Sequence, residues 1–168
     1  MTVSADIYAG VRARDAVVDA PWRRLIEADT GSKVISFQDG TTDGKADRLW
    51  SDVRTLAASA SENLDLAGSL TDPGGATVTF VKVKAIFVRA TATNVNDVVL
   101  GNAAANAFVG PFGAAAHTLA VKPGGTLLLV APNTGWTVTA GTGDQVKVLN
   151  GGAGTAVEYE IIILGTSA

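Results

Sequence analysis

The sequence predicts an all-β protein: a jelly-roll-like antiparallel β-sandwich preceded by an N-terminal arm containing one short helix. Three observations predict it. From Leu49 to the C-terminus, apolar and polar residues alternate in short runs. Gly, Pro, Asn and Asp separate those runs at the spacing of a sandwich or barrel. The first and last runs are both long, which favours two packed sheets of four strands over an immunoglobulin-like arrangement. A chain of 168 residues is long enough for one domain with a real core and too short for two. The expected division is an arm over 1–46 and a sandwich over 47–168.

The arm contains the only good helix signal. In "VVDAPWRRLIEAD", Asp19 can cap, Pro21 suits a first turn, and Trp22, Leu25 and Ile26 share a helical face. The expected helix covers about 20–28 and stops before Gly31. "SFQDGTTDGKAD" follows, dense in Asp, Gly and Thr, and reads as loop.

Strand signals begin with "RLWSDVRTL" and "ENLDLAG", joined by the small-residue link "AASAS". The long run "ATVTFVKVKAIFVRATA" puts Val78, Phe80, Lys82, Lys84, Ile86 and Val88 on one parity. Two lysines cannot share an inner face with those apolar residues, so a bulge is expected near Val83–Ala85. "NDVVLGN", "HTLAVKPGG", "TLLLVAP", "GWTVTAG", "DQVKVLN" and "TAVEYEIIIL" complete roughly eight or nine strands. In "GWTVTAGTGDQVKVLN", Trp136 and Val138 share a parity, Val146 and Val148 resume it, and Gly141–Asp144 reads as the reversal of a hairpin. In the last run Val157, Tyr159, Ile161 and Ile163 lie on one face. The opposite face carries Glu158, Glu160, Ile162 and Leu164, polar first and apolar later, as in a strand that passes into a contact. Trp136, Val138, Val146, Val148, Tyr159 and Ile161 are the expected core markers.

Enzyme chemistry finds no foothold in these residues. His117 is the chain's one histidine and has no carboxylate near it in sequence, so a triad is not expected and a surface or interface role is. One histidine and no cysteine leave no zinc ligand set, and neither metal nor cofactor is expected. Glu158 and Glu160 project from one strand face about 7 Å apart, a separation suited to glycoside hydrolysis. Few aromatics accompany them, so a solvated face is expected instead. "GGAGTA" and "GTGDQ" lack the phosphate-loop pattern. "DGTTDGKAD" lacks the order of an EF-hand and is expected to be a plain turn. The formal charge of −3 gives no electrostatic case for nucleic acid. No apolar run is long enough to span a bilayer, and no signal peptide is expected.

Charge is unevenly spread. Residues 1–54 hold 8 of the 13 basic and 9 of the 16 acidic side chains, leaving 12 charges for the remaining 114 residues. A surface built from Thr, Asn, Ser, Gly and Ala loses little hydration on contact, so extensive subunit contact is expected.

The succession "WSDVRTLAASASENLDLAGSLTDPGGATVTFVKVKAIFV", "VVLGNAAANAFVGPF" and "VKPGGTLLLVAPNTGWTVTAGTGDQVKVLNGGAGTAVEYEIIILG" resembles a family of small virion structural proteins of tailed bacteriophages. The similarity covers about Leu49 to Gly165. Its most specific elements are "RTLAASASENLDLAG", "PGG" with its following apolar strand and "AP", and "GWTVTAGTGDQVKVLN". The resemblance implies a non-enzymatic virion component, foremost a capsid decoration (cement) protein on the outer surface of the head. The implied partners are the major capsid protein and copies of the chain itself, as a homotrimer, with no nucleic acid or membrane. A tail or head-fibre component that binds a host-surface glycan is the alternative. In this reading Arg12, Arg14, Trp22, Arg23, Arg24 and Leu25 of the arm are the expected capsid or subunit contacts.

Overall fold

The computed structural model describes residues 2–18, 23–29 and 32–168, with the strands inside 12–29 described as backbone. Among these residues there are thirteen strands and no helix.

The body uses β5 (Arg48–Leu56), β6 (Ser61–Asp65), β7 (Lys82–Ala90), β8 (Val98–Gly101), β9 (Thr118–Val121), β10 (Thr126–Val130), β12 (Gln145–Asn150) and β13 (Val157–Thr166). They form two antiparallel sheets, ordered β10-β7-β13-β5 and β6-β12-β8-β9. The pairing is nested: first strand with last, β6 with β12, β7 with β10, β8 with β9. That is the jelly-roll order. The short β11 (Trp136–Thr137) pairs with β7 beyond the end of β10.

Alternation explains which face each strand buries. Val157, Tyr159, Ile161 and Ile163 of the central strand β13 point between the sheets and are at most 1% exposed. Val146 and Val148 meet them from β12, and Val138 is buried in the same core, with Trp136 half-buried against it.

The bulge lies where the lysine parity placed it. Leu164 of β13 pairs with Ala85, but the next residue, Gly165, pairs with Val83, leaving Lys84 as the extra residue. Val83 therefore stays in the core with Ile86 and Val88, while Lys84 and Ala85 turn to the sheet's outer side. The run is also interrupted before Lys82, so Val78 and Phe80 reach the core from a separate extended segment, held by Val78 N–H to Leu70 O and Phe80 N–H to Leu66 O.

"GWTVTAGTGDQVKVLN" reverses at its centre but is not the expected hairpin. Its two halves join different sheets, β11 beside β7 and β12 between β6 and β8. Only the Thr139–Gly143 bridge joins them. The stretch is a corner, because both sheets need an apolar strand at this point. Gly141 has a φ of 74°, and its N–H donates to the carboxylate of Asp144.

Before residue 47, the described residues join neither body sheet. β1 (Ala5–Ala9) pairs with β4 (Lys33–Phe37), and β2 (Arg12–Val18) pairs with β3 (Arg23–Asp29). The helix expected over about 20–28 is thus corrected: 23–28 are strand, and 19–22 lie outside the described residues. So short a helix is marginal without tertiary packing, whereas pairing satisfies the backbone groups of both segments at once. The base of the arm packs on the body. Val3, Phe37 and Ala46 form a second apolar cluster with Ala85 and Leu164.

Gly165 tests the bulge. A Cβ there would lie 2.1 Å from Lys82 O and 2.8 Å from Phe80 Cδ1. Gly165→Ala is expected to lower the stability measured by urea unfolding by about 1–3 kcal/mol. Gly143→Ala, whose Cβ meets nothing closer than 3.7 Å, is expected to stay within about 0.5 kcal/mol of the unaltered chain.

Candidate functional site

The outer face of the β10-β7-β13-β5 sheet carries an apolar groove. Register places Val130, Ala85, Leu164 and Leu49 in one row across the four strands, and Leu128, Phe87, Ile162 and Ser51 in the next. The first row lies beneath β1, β4 and Ala46. The second is only partly covered. Leu128, Phe87 and Ile162 floor a groove of about 420 Å³ whose wall is β1 from Ala5 to Tyr8. Beyond it the face turns polar: Glu160 pairs with Arg89 at 2.7 Å, and Glu158 accepts from Thr91 Oγ1 at 3.0 Å. An apolar strip between a strand and a polar rim has the make-up of a contact surface.

Lys84 fastens the loop that follows β4, the strand paired with the groove's wall. Its residue is 1% exposed, and Nζ donates to Thr42 O at 2.6 Å. Burial holds its pKa below the ordinary lysine range, and the nearby negative charge of Asp43 partly opposes that shift. The loop it grips is the Asp/Gly-rich stretch. Asp39 accepts from Val3 N–H, and Asp47 accepts from both the N–H and the hydroxyl of Ser167. These carboxylates bind the chain's own ends. Among the described residues no cluster of three or more His, Asp or Glu has metal-binding geometry.

A second polar group sits where edge strands β5 and β6 approach each other. Asp52 and Arg54 occupy core-facing positions of β5, opposite Ile161 and Tyr159. Arg54 donates to Glu62 (Nε 2.7 Å) and to Asp52 (Nη1 2.7 Å), and the buried Tyr159 hydroxyl donates to Glu62 at 2.8 Å. Both oxygens of Glu62 are thereby engaged. Burial, then the hydrogen bond to Glu62, raises the Tyr159 pKa far above its ordinary value. The hydrogen bond to Glu62 likewise raises that of Arg54, which stays charged. The arrangement is a hydrogen-bonded network that joins the two sheets at this partly exposed side of the sandwich.

The other candidates have local roles. His117 is exposed beside a shallow recess, with Nδ1 2.8 Å from Phe112 O; facing a carbonyl, that nitrogen carries the hydrogen. Glu158 and Glu160 lie on the outer face, in the contacts given above. Of the expected contact residues, Arg12 and Arg14 fall on β2, and Arg23, Arg24 and Leu25 on β3, so pairing brings these five into one hairpin. Arg12 is opposite Asp29 and Arg14 opposite Glu27; Trp22 lies outside the described residues. Sequence reasoning placed Ile162 on a contact face but missed Leu128 and Phe87 of the groove floor and the Arg54–Glu62–Tyr159 network. Phe87 on the outward parity and the unbroken "TLLLV" were the available signals for the floor, because a strand apolar on both faces is covered on both.

The network makes stability pH-dependent. A tyrosine whose folded pKa is raised contributes stability that is fully present below its ordinary pKa of about 10 and is lost as pH rises above it. Lys84, with its pKa lowered, has the opposite sign: its cost diminishes as pH rises toward about 10.4. Tyr159→Phe is therefore expected to cost about 0.5–1.5 kcal/mol near neutrality and to flatten the alkaline fall in unfolding free energy. Urea titrations of both chains between about pH 8 and 11 read the difference directly. An identical alkaline slope in the two would place the titrating group elsewhere.

No protein-family model matches the chain, and no curated protein matches it.

Proposed function

We propose that this protein is a structural component of a bacteriophage virion: a decoration protein that docks on the major capsid shell and bridges neighbouring capsomers. The observation that carries the reading is the division of charge over this architecture. The jelly roll presents a charge-poor surface of small polar residues, and the arm, residues 1–46, holds 13 of the 29 charged side chains. Rigid bodies of this kind pack closely against protein with little desolvation cost. The arm supplies a second attachment, which raises affinity through effective concentration once the body is seated. The resemblance in "RTLAASASENLDLAG" and "GWTVTAGTGDQVKVLN" supports the same assignment, and three copies around a local threefold axis is the expected arrangement.

The role is mechanical: copies bridging capsomers oppose the outward pressure of packaged DNA. The test is to count and locate the protein on purified particles. Hundreds of copies distributed over the head in a density map are the expected result. A few trimers confined to the tail would overturn the assignment in favour of a tail component.

A further inference from the structure

We infer that the β2–β3 hairpin of one copy docks in the outer-face groove of a second copy, joining copies head to tail. The inference deepens the self-association proposed above and rests on that part of the reading, not on attachment to a shell.

Two features of the same chain complement each other. β2 and β3 form a sheet of their own, separate from both body sheets. A lone two-stranded hairpin is marginal in water and gains most from an apolar surface beneath it. The groove is such a surface, and it continues an interface already in use. One row of the sheet's outer side chains lies under β1 and β4, which belong to the same arm; the next row, Leu128, Phe87 and Ile162, lacks that cover. The occupant that matches the covered half is another β-ribbon of this chain.

Charge agrees. The groove is edged by Asp6 and, beyond the floor, by Glu158 and Glu160 against the single Arg89. The end of the hairpin nearest its reversal pairs Val17 with Arg24 and Val18 with Arg23, so two arginines accompany apolar residues there. Since β1 is the groove's wall and runs on into β2, a chain filling its own groove would have to double back across residues that already line it. A second copy needs no such reversal. Hairpin and groove are different surfaces, so the contact is heterologous, and it closes into a ring when the rotation between copies permits.

Sedimentation of the full chain tests this with two variants on opposite sides of the contact. Leu128→Glu charges the groove floor, and Arg23→Glu with Arg24→Glu reverses the hairpin end. The expected result is an oligomer whose dissociation constant rises at least about tenfold in either variant while cooperative unfolding is retained. The chain has no cysteine, so Leu128→Cys and Val18→Cys chains can be mixed and oxidised. A covalent dimer is expected from the mixture. A monomeric unaltered protein, or an oligomer indifferent to both variants, overturns the proposal. Preferential crosslinking within a chain that carries both cysteines overturns it as well. An oligomer that responds to the variants but is absent from phage heads would sink the decoration role and leave this contact standing; the converse pair of results would do the reverse.

Discussion

The extra residue in β7 governs the arrangement of everything outside the core. Without a bulge, the parity that buries Ile86 and Val88 would carry Lys82 and Lys84 into the space between the sheets. Two uncompensated ammonium groups there are not tolerable. One added residue turns Lys84 to the outer side beside Ala85 and returns Val83 to the core, and a glycine opposite, Gly165, gives the backbone room to do so. Lys84 is still removed from water, at a cost that lowers its pKa. Its hydrogen bond to Thr42 O and the charge of Asp43 offset part of that cost. In return the residue anchors the loop that leads from the arm into β5, and with it the strand pair that covers Leu164. The core's intolerance of a lysine thus fixes where the arm begins.

Nested pairing does the rest at the same corner. Because the first body strand pairs with the last, Asp47 and Ser167 are neighbours despite their separation in sequence, and two hydrogen bonds join them. Nesting also leaves β5 and β6 as the edges on one side of the sandwich. Polar side chains in core-facing positions there would be costly if unpaired. Arg54, Glu62, Asp52 and Tyr159 satisfy one another, and the Asp52 carboxylate also accepts the N–H of its neighbour Val53 on the outer strand. That last bond occupies a donor on an edge otherwise open to pairing.

What could be read from the sequence follows from how local each cause is. Period-2 alternation identified the inner face of β13, and the lysines in "FVKVKAIFV" located the bulge, because both report one strand's burial against a single interior. The drift of the other β13 face from Glu158 to Leu164 announced a contact, though not that the chain's own arm supplies it. The failures were pairings. "WRRLIEAD" carries a helical spacing of apolar residues, and only the register with Arg12–Val18 decides for strand. "GWTVTAG" and "DQVKVLN" look like hairpin partners because the turn between them is good; which sheet each half joins depends on strands far away in the chain. The Arg54–Glu62–Tyr159 network was invisible for the same reason, since its members lie on three strands.

The uncovered half of the outer face sets the strength of whatever binds there. Three half-buried side chains make a small strip, well within what a soluble protein can expose without aggregating. A hairpin laid across it adds backbone and rim contacts to that strip. Contacts of that size become populated when several form together or when copies are concentrated on a scaffold, because the later contacts then form at high effective concentration. An apolar strip of this size, beside an arm able to fill it, therefore favours a ring, in which each copy gives one hairpin and receives one and the contacts strengthen one another.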